Sequence, residues 1–316
     1  LDSLSKDAIP FQVIDQLLNK GATNGYRDTL TQLKNILHND KDQLNRFNEK
    51  LVKIIHNRGQ DIINLYLKGD VAELERRRYY NIKSNGYDEY PKMFSVALKL
   101  TTPDDELYHV LEVDQHYFAG VAARLKIPTV ADPKLLLAIS MAEQLQALKL
   151  NDNAANIHNE LGILYLQKKD LKNAEAHFYK ATQIVPEWAI PWANLCGLYG
   201  SAKKTEAALT AGHIADSLQP GLQVTNVQLG GTYENAGNFL FAEEYYRTAI
   251  DSNSRHYFPF ERLGYVYANT TQYAAADSFF YEASLRKAGY HFDGNGFDII
   301  SPLAPPFVAP ALFCTL

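Results

Sequence analysis

Between Ala155 and Ala288 one set of residues recurs four times at a spacing of 34 positions, and this constrains the chain more than its composition does. The first copy carries Leu161, Gly162, Tyr165, Ala174, Phe178, Ala181 and Pro186; the second carries Leu195, Cys196, Tyr199, Ala208, Gly212, Ala215 and Pro220. The third has Leu229, Gly230, Tyr233, Ala242, Tyr246, Ala249 and Ser254, and the fourth Leu263, Gly264, Tyr267, Ala276, Phe280, Ala283 and Ala288. A fixed period of this size belongs to stacked supersecondary units rather than to one closed core. Within a unit, Leu161 and Tyr165 stand at i and i+4 and share a helix face. Gly162, Ala174 and Ala181 are small enough for two helices to approach closely. Pro186 and Pro220 follow the second helix, where proline ends it without breaking an interior turn.

The four units resemble the tetratricopeptide repeat (TPR), an antiparallel helix pair of this period. Its fourth position, usually a large aromatic, reads His158, Trp192, Asn226 and Phe260 here. The chain departs from the pattern at His158, Asn226, Cys196 and Gly212, and lacks the proline at Ser254 and Ala288. The resemblance implies an all-α fold, a right-handed TPR superhelix preceded by irregular helical hairpins. It also implies a concave groove lined by the first helix of each unit at positions 2, 5, 9 and 12. Those positions hold Asn156, Asn159, Ile163 and Leu166, then Ile190, Ala193, Gly197 and Gly200. The third and fourth units give Val224, Val227, Gly231 and Glu234, then Phe258, Glu261, Tyr265 and Ala268. TPR domains that clamp a C-terminal carboxylate place lysine and asparagine where this chain has Asn159 and Ile163. Only Asn194 and Arg262, at position 6, fit that pattern. The groove therefore reads as apolar and small, with amides at one end and Glu234 and Glu261 at the other, suited to a hydrophobic segment.

Three regions follow: an irregular helical part over 1–131, the array over 132–290 with units starting near 155, 189, 223 and 257, and an apolar, proline-rich tail over 291–316. In the first region, apolar residues from Phe11 to Leu18, from Leu30 to Leu37 and from Leu44 to Ile55 fall at helical spacing, with Asn39-Asp40 as a cap before the third. Gly59 and Gly69 bracket a short helix over Asp61–Lys68. Glu73–Tyr80 is a further helix whose Glu75-Arg76-Arg77-Arg78 run reads as a solvated, salt-bridged face, since helix neighbours point about 100° apart. Helices over Met93–Leu100 and Glu106–Leu125 form a pair, and residues 60–126 together read as one or two degenerate helical hairpins. Asp132-Pro133 starts a helix that packs on the first unit and closes that end of the array. Residues 60–150 also resemble, faintly, the irregular helices before TPR arrays in bacterial proteins with a caspase-like peptidase domain elsewhere. That impression rests on the run Gly59–Asp70 and on Asn159-Glu160-Leu161-Gly162. Gly289–Asp298 reads as a glycine-containing turn rather than a calcium loop, because Phe297 stands where a ligand is required. The four prolines of residues 301–316 keep the tail extended, as a cap on the last helix or a strand docked back into the groove.

Nothing in the sequence converges on chemistry. The motifs G-x-S-x-G, H-E-x-x-H and G-x-x-x-x-G-K-[ST] are absent, so no catalytic residue and no cofactor is expected. His109, Glu112 and His116 share a helix face but read as a polar stripe, so no metal is expected either. Cys196 and Cys314 are too few for a disulfide framework or a zinc site. Residues 1–150 carry 20 basic and 20 acidic side chains and the rest 11 and 16, which excludes the basic surface a nucleic acid requires. No apolar run is long enough to span a membrane. The chain begins with Leu1 rather than Met, as a fragment or processed form would; a removed signal peptide leaves an extracytoplasmic placement open beside the preferred cytoplasmic one. The expected function is a non-catalytic scaffold holding a peptide or partner domain in the groove. The alternative is a regulatory or sensing segment of a larger enzyme, with a caspase-like peptidase as one form of it.

Overall fold

A computed structural model of the chain describes residues 41–78, 86–253 and 255–287, and the backbone of two short strands beyond them. The helical stretches expected before residue 39, the Asn39-Asp40 cap and the tail 301–316 lie outside the described residues. The described part is helical throughout its length to Lys287. Helices α1 (Lys41–Leu67), α2 (Val71–Arg76), α3 (Glu89–Leu100), α4 (Tyr108–Lys126) and α5 (Lys134–Leu150) precede the repeats. The repeats are α6–α7 (Ala155–Gln167, Leu171–Ile184), α8–α9 (Ala189–Ser201, Thr205–Leu218), α10–α11 (Gln223–Asn235, Phe239–Ser252) and α12–α13 (Tyr257–Asn269, Tyr273–Lys287).

Each unit closes by matching a bare backbone to a ring. A Cβ on Gly162 would stand 2.5 Å from Phe178, one on Gly230 would stand 2.7 Å from Tyr246, and one on Gly264 would stand 2.6 Å from Phe280. The aromatic of the second helix therefore lies flat on the glycine of the first. The second unit departs at both positions together. Cys196 is fully buried where the others have glycine, and Gly212 has no ring; Leu229 of the next unit comes within 2.4 Å of where its Cβ would be. The alanines at the two other contact positions, Ala174 and Ala181 and their equivalents, are at most 3 % exposed.

The turn inside each unit is also repeated. The residue two before the second helix has positive φ in every unit: Lys169 (60°), Lys203 (58°), Gly237 (74°) and Thr271 (63°), although sequence alone marks only the glycine. In each, the next residue's N–H reaches the carbonyl five residues back, as Asp170 does to Tyr165 at 2.9 Å, and the left-handed residue bonds three back, as Lys169 does to Leu166 at 2.8 Å. This pair of bonds satisfies carbonyls that the helix end leaves open.

Three sequence expectations are corrected before the array. Gly59 does not interrupt a helix: α1 runs unbroken for 27 residues, because a Cβ at Gly59 would meet Phe94 Cζ at 2.4 Å and its absence seats that ring. The helix after Asp70 ends at Arg76. Between Gly289 and Asp298 the backbone forms antiparallel strands β1 (Tyr290–Phe292) and β2 (Phe297–Ile299), with Phe292 opposite Phe297, rather than a turn alone. The expected docking of the Pro133 helix is observed: Leu137, Met141, Ala147 and Leu148 of α5 share one core with Ile157, Leu161 and Leu164 of α6. Phe94, Tyr117 and Phe118 fill the same core from α3 and α4.

A β-branched side chain in the left-handed region carries a steric cost that glycine avoids. Thr271→Gly is expected to raise stability by about 0.5–1 kcal/mol in urea denaturation, and Gly237→Ala to lower it by a similar amount.

Candidate binding face

The first helices α6, α8, α10 and α12 carry every residue named for the groove, but the structure places them in two different settings. Asn156, Asn159, Ile163, Ile190, Ala193, Asn194, Val227 and Gly231 are buried. Gly197, Val224, Glu234, Phe258, Glu261 and Arg262 are half-buried, and Tyr265 is 45 % exposed. The groove positions thus form a face half covered by the chain itself.

Over Asn159, Ile190, Ala193 and Asn194 the cover is the corner between α1 and α2. Its turn is built like those of the repeats: Gly69 has φ 64°, Asp70 N–H reaches Leu65 O at 2.9 Å, and the Asp70 carboxylate caps α2 through Glu73 N–H. Tyr66 and Leu74 pack with Ala155, Ile190, Ala193 and Leu222, at the starts of three successive units. Asn159 donates to the Tyr66 hydroxyl at 2.8 Å, Asn194 donates to Asn159 at 2.9 Å, and the Trp188 indole donates to the Tyr66 carbonyl at 3.1 Å. Farther along, Gln219 donates to Gly69 O at 2.9 Å and Arg78 donates to Gln223 at 2.7 Å, while Asn253 reaches Glu75. The amides read from sequence as ligand-binding are thus spent on an internal segment.

A buried charge network fixes that corner. Glu160, with no exposed surface, accepts from Arg77 at 3.1 Å and from Arg124 Nε at 2.5 Å. Arg77 also donates to Glu73 at 2.8 Å and to the Tyr117 hydroxyl at 3.2 Å, and its guanidinium lies 3.5 Å from the centre of the Tyr66 ring. Burial, with Arg77 acting against it, pushes the Tyr117 hydroxyl up to about 12, so it stays protonated. The solvated reading of the arginine run is corrected for Arg77, which is 8 % exposed; the salt-bridged half of that reading stands, since Arg76 and Arg78 pair with Glu73 and Glu75.

The uncovered half runs from the far end of α8 to α12. Glycine dominates there: a cleft of about 30 Å³ is lined by Gly197, Gly200, Ser201, Gln228, Gly231, Thr232 and Asn235. The two acids expected to give this end negative charge are both paired, Glu234 with Arg262 and Glu261 with Lys287. Arg262 also lies 5.1 Å from the Tyr265 ring, and Phe258 stands on the same helix. Neither Asn194 nor Arg262 is placed to clamp a carboxylate, since each already holds a partner.

Four of the histidines also have structural partners. His158 donates through Nε2 to the Asp152 carbonyl at 3.0 Å, which fixes its tautomer, so His177 Nδ1–H donates to His158 Nδ1 across 2.9 Å. Burial, with His158 alongside, lowers His177 to about 4. His109 bonds the Leu150 carbonyl at 3.0 Å and His116 bonds Glu143 at 2.6 Å, so the helix-face trio does not converge. Among the described residues no group of three or more His, Cys, Asp or Glu is placed to hold a metal ion, and no helix is long and apolar enough to cross a membrane. Sequence reasoning missed Tyr66, Glu73, Arg77 and Glu160 as shapers of the face, and Gln228 as part of the cleft. The available signal was Leu65, Gly69, Asp70 and Leu74, which match positions 11, 15, 16 and 20 of a unit begun at 55.

Two outcomes follow from these groups. Glu160→Gln leaves two buried guanidinium groups without their shared carboxylate and is expected to cost about 3–5 kcal/mol in urea denaturation, whereas exposed pairs such as Lys92–Glu89 contribute about 0–1 kcal/mol. Asp114 is buried with a Gln60 amide at 2.8 Å, and burial pushes its carboxyl up to about 7 although that hydrogen bond pulls the other way. A raised carboxyl contributes stability below its unfolded value near 4 and loses it as pH rises to 7. The lowered His177 does the opposite, losing stability as pH falls from 6.5 to 4. Wild type is expected to show these slopes opposing; Asp114→Asn removes the first, so its stability climbs more steeply from pH 4 to 7 and exceeds wild type above pH 7.

The tetratricopeptide-repeat family model matches residues 155–187. No curated protein matches the sequence. Among solved structures, MamA aligns with 19 % identity over 49 % of this chain and 90 % of its own, at a TM-score of 0.41. PilF of Pseudomonas aeruginosa aligns with 16 % identity over 56 % and 78 %, at 0.48. YrrB, described as a TPR protein with an unusual peptide-binding site, aligns with 20 % identity over 61 % and 91 %, at 0.40. Alignments this distant carry no functional argument, and none of these matches shows the caspase-like association. The helix pairs, the 34-residue period and the family match make one statement together: Ala155 to Lys287 is an all-α array of four regular units, the first of which matches the tetratricopeptide-repeat model.

Proposed function

We propose that the chain is a non-catalytic protein-interaction scaffold that takes a peptide or a partner segment on the inner face of units two to four. The observation that carries this reading is the uneven cover of that face. The α1–α2 corner seals the starts of α6, α8 and α10, while Tyr265, half-buried Phe258 and the glycine cleft are left without such cover. Exposed Tyr265 and half-buried Phe258 offer apolar area, and the glycines of the cleft offer close main-chain approach. The local charges are already paired, so binding draws on area removed from water, at roughly 25 cal/mol per Å².

The test is affinity capture from source lysate followed by binding measurements with the purified captured protein. Tyr265→Ala with Asn235→Arg alters the open half, and Leu240→Arg alters a 76 % exposed site on the second helix of unit three. The first variant is expected to raise Kd at least tenfold and the second to leave it within twofold. Equal affinity for all three forms removes this face as the binding surface.

A further inference from the structure

The second helices of the repeats turn one side to solvent, and that side carries charge. Lys172 and Lys180 flank Tyr179 on α7, Glu244 and Arg247 follow Leu240 on α11, and Asp277 lies between Tyr273 and Tyr281 on α13, all of them exposed. Helix α5 differs. Its solvent side reads Leu135, Ala138, Ile139, Ala142 and Leu145, every one exposed, with Leu135 at 69 % and Ile139 and Leu145 at 41 % each. Steps of three and four residues place these five on one stripe. Glu143, at the flank, is held by His116 at 2.6 Å. The charged side chains of the stripe stand at its two ends, Asp132 and Lys134 before Leu135 and Lys149 after Leu145, all exposed.

The pattern is complementary to itself. Leu135, Ala138, Ala142 and Leu145 are spaced three, four and three, so the order reads the same from either end. Two copies of α5 laid antiparallel set Leu135 against Leu145 and Ala138 against Ala142. The alanines let the two backbones approach to the short end of the roughly 8–10 Å range for packed helices, and Ile139 fills the space beside them. The ends select the same direction. Antiparallel pairing brings Lys149 of each copy beside Asp132 of the other, whereas parallel pairing would set like charge on like charge. From Leu135 to Leu145 the stripe covers about 15 Å of helix. One helix pair of that length buries less than about 1,200 Å² and suits a dimer that forms reversibly at micromolar concentration.

We propose that the solvent side of α5 is the contact between two copies of this chain, packed antiparallel about a two-fold axis level with Ser140. The same patch serves both copies, so the contact closes on itself and assembly stops at two. It uses no residue of the inner face and stands independently of the scaffold reading.

Sedimentation equilibrium of the full chain over about 1–200 µM tests it. Wild type is expected to pass reversibly from one chain per particle to two. Ala142→Glu puts a carboxylate at the centre of the contact, at a helix position that is already exposed, and is expected to raise Kd at least tenfold with far-UV circular dichroism unchanged. Leu240→Glu, at a 76 % exposed site on α11, is expected to leave Kd within twofold. Lys149→Glu sets like charges together at both ends and is expected to weaken the dimer at least threefold. Adding Asp132→Lys to it exchanges the charges and is expected to bring Kd back to within twofold of wild type. One chain per particle at every concentration overturns the proposal. If that monomer also floats with phosphatidylcholine–phosphatidylserine vesicles and Ala142→Glu abolishes flotation, the stripe meets a lipid surface instead. A dimer that Ala142→Glu leaves intact, or one that the charge exchange fails to restore, overturns it as well.

Discussion

Glu160 sits at the start of the regular array with no solvent contact, and two guanidinium groups converge on it from opposite sides, Arg124 from α4 and Arg77 from beyond α2. A carboxylate taken out of water is tolerated only when its partners are held in good geometry, since desolvation outweighs an imperfect pairing. The arrangement therefore acts less as a source of net stability than as a constraint on where three separate elements can lie. Arg77 must reach inward, which draws the α1–α2 corner onto the first helices, and Tyr66 arrives with it to stack against that guanidinium and meet Asn159. The shape of the inner face follows from that placement.

Much of the array was legible because its rules are local. Helix periodicity, a small residue at one position and an aromatic sixteen residues later are properties of a single unit, and stacking repeats them. The departures at Cys196 and Gly212 looked like two independent losses in sequence. In space they are one exchange: Gly212 leaves room, and Cys196 with Leu229 of the next unit takes it up. The left-handed turn residues were not legible for the opposite reason. Lys169, Lys203 and Thr271 are not residue types that mark a left-handed position, and the helix end, with its unmet carbonyls, holds them there.

The first-helix face was legible in membership and not in state. The residues named from the repeat register do lie on the first helices. Whether each is open depends on a segment about 80 to 180 residues away in sequence, and a register carries no information about that. Asn159 and Asn194 show the difficulty: an amide suited to a peptide backbone is equally suited to a tyrosine hydroxyl from the same chain. The arginine run misled for a related reason. Angular separation on a helix predicts that three neighbours cannot share a face, and they do not. It does not say which of the three directions meets another helix, and for Arg77 that direction is the buried one.

The irregular helices also resolve a problem that every solenoid has at its ends. A repeat buries its apolar face against the next one, so the first unit would expose a surface if nothing preceded it. Helix α5 is apolar on more than one side, and the structure uses only one of them against α6: Ser140, Met141, Gln144 and Ala147 turn inward while Leu135, Ile139 and Leu145 remain exposed. The inward side is joined by polar bonds as well, with Ser140 donating to the Gly120 carbonyl at 2.8 Å and Gln144 to the Tyr117 carbonyl at 2.9 Å. Those bonds fix α5 on α4, and α4 carries Arg124 to Glu160. End cap and charge network are therefore one mechanical unit: the helices that finish the array at this end also anchor the corner that covers half of its inner face.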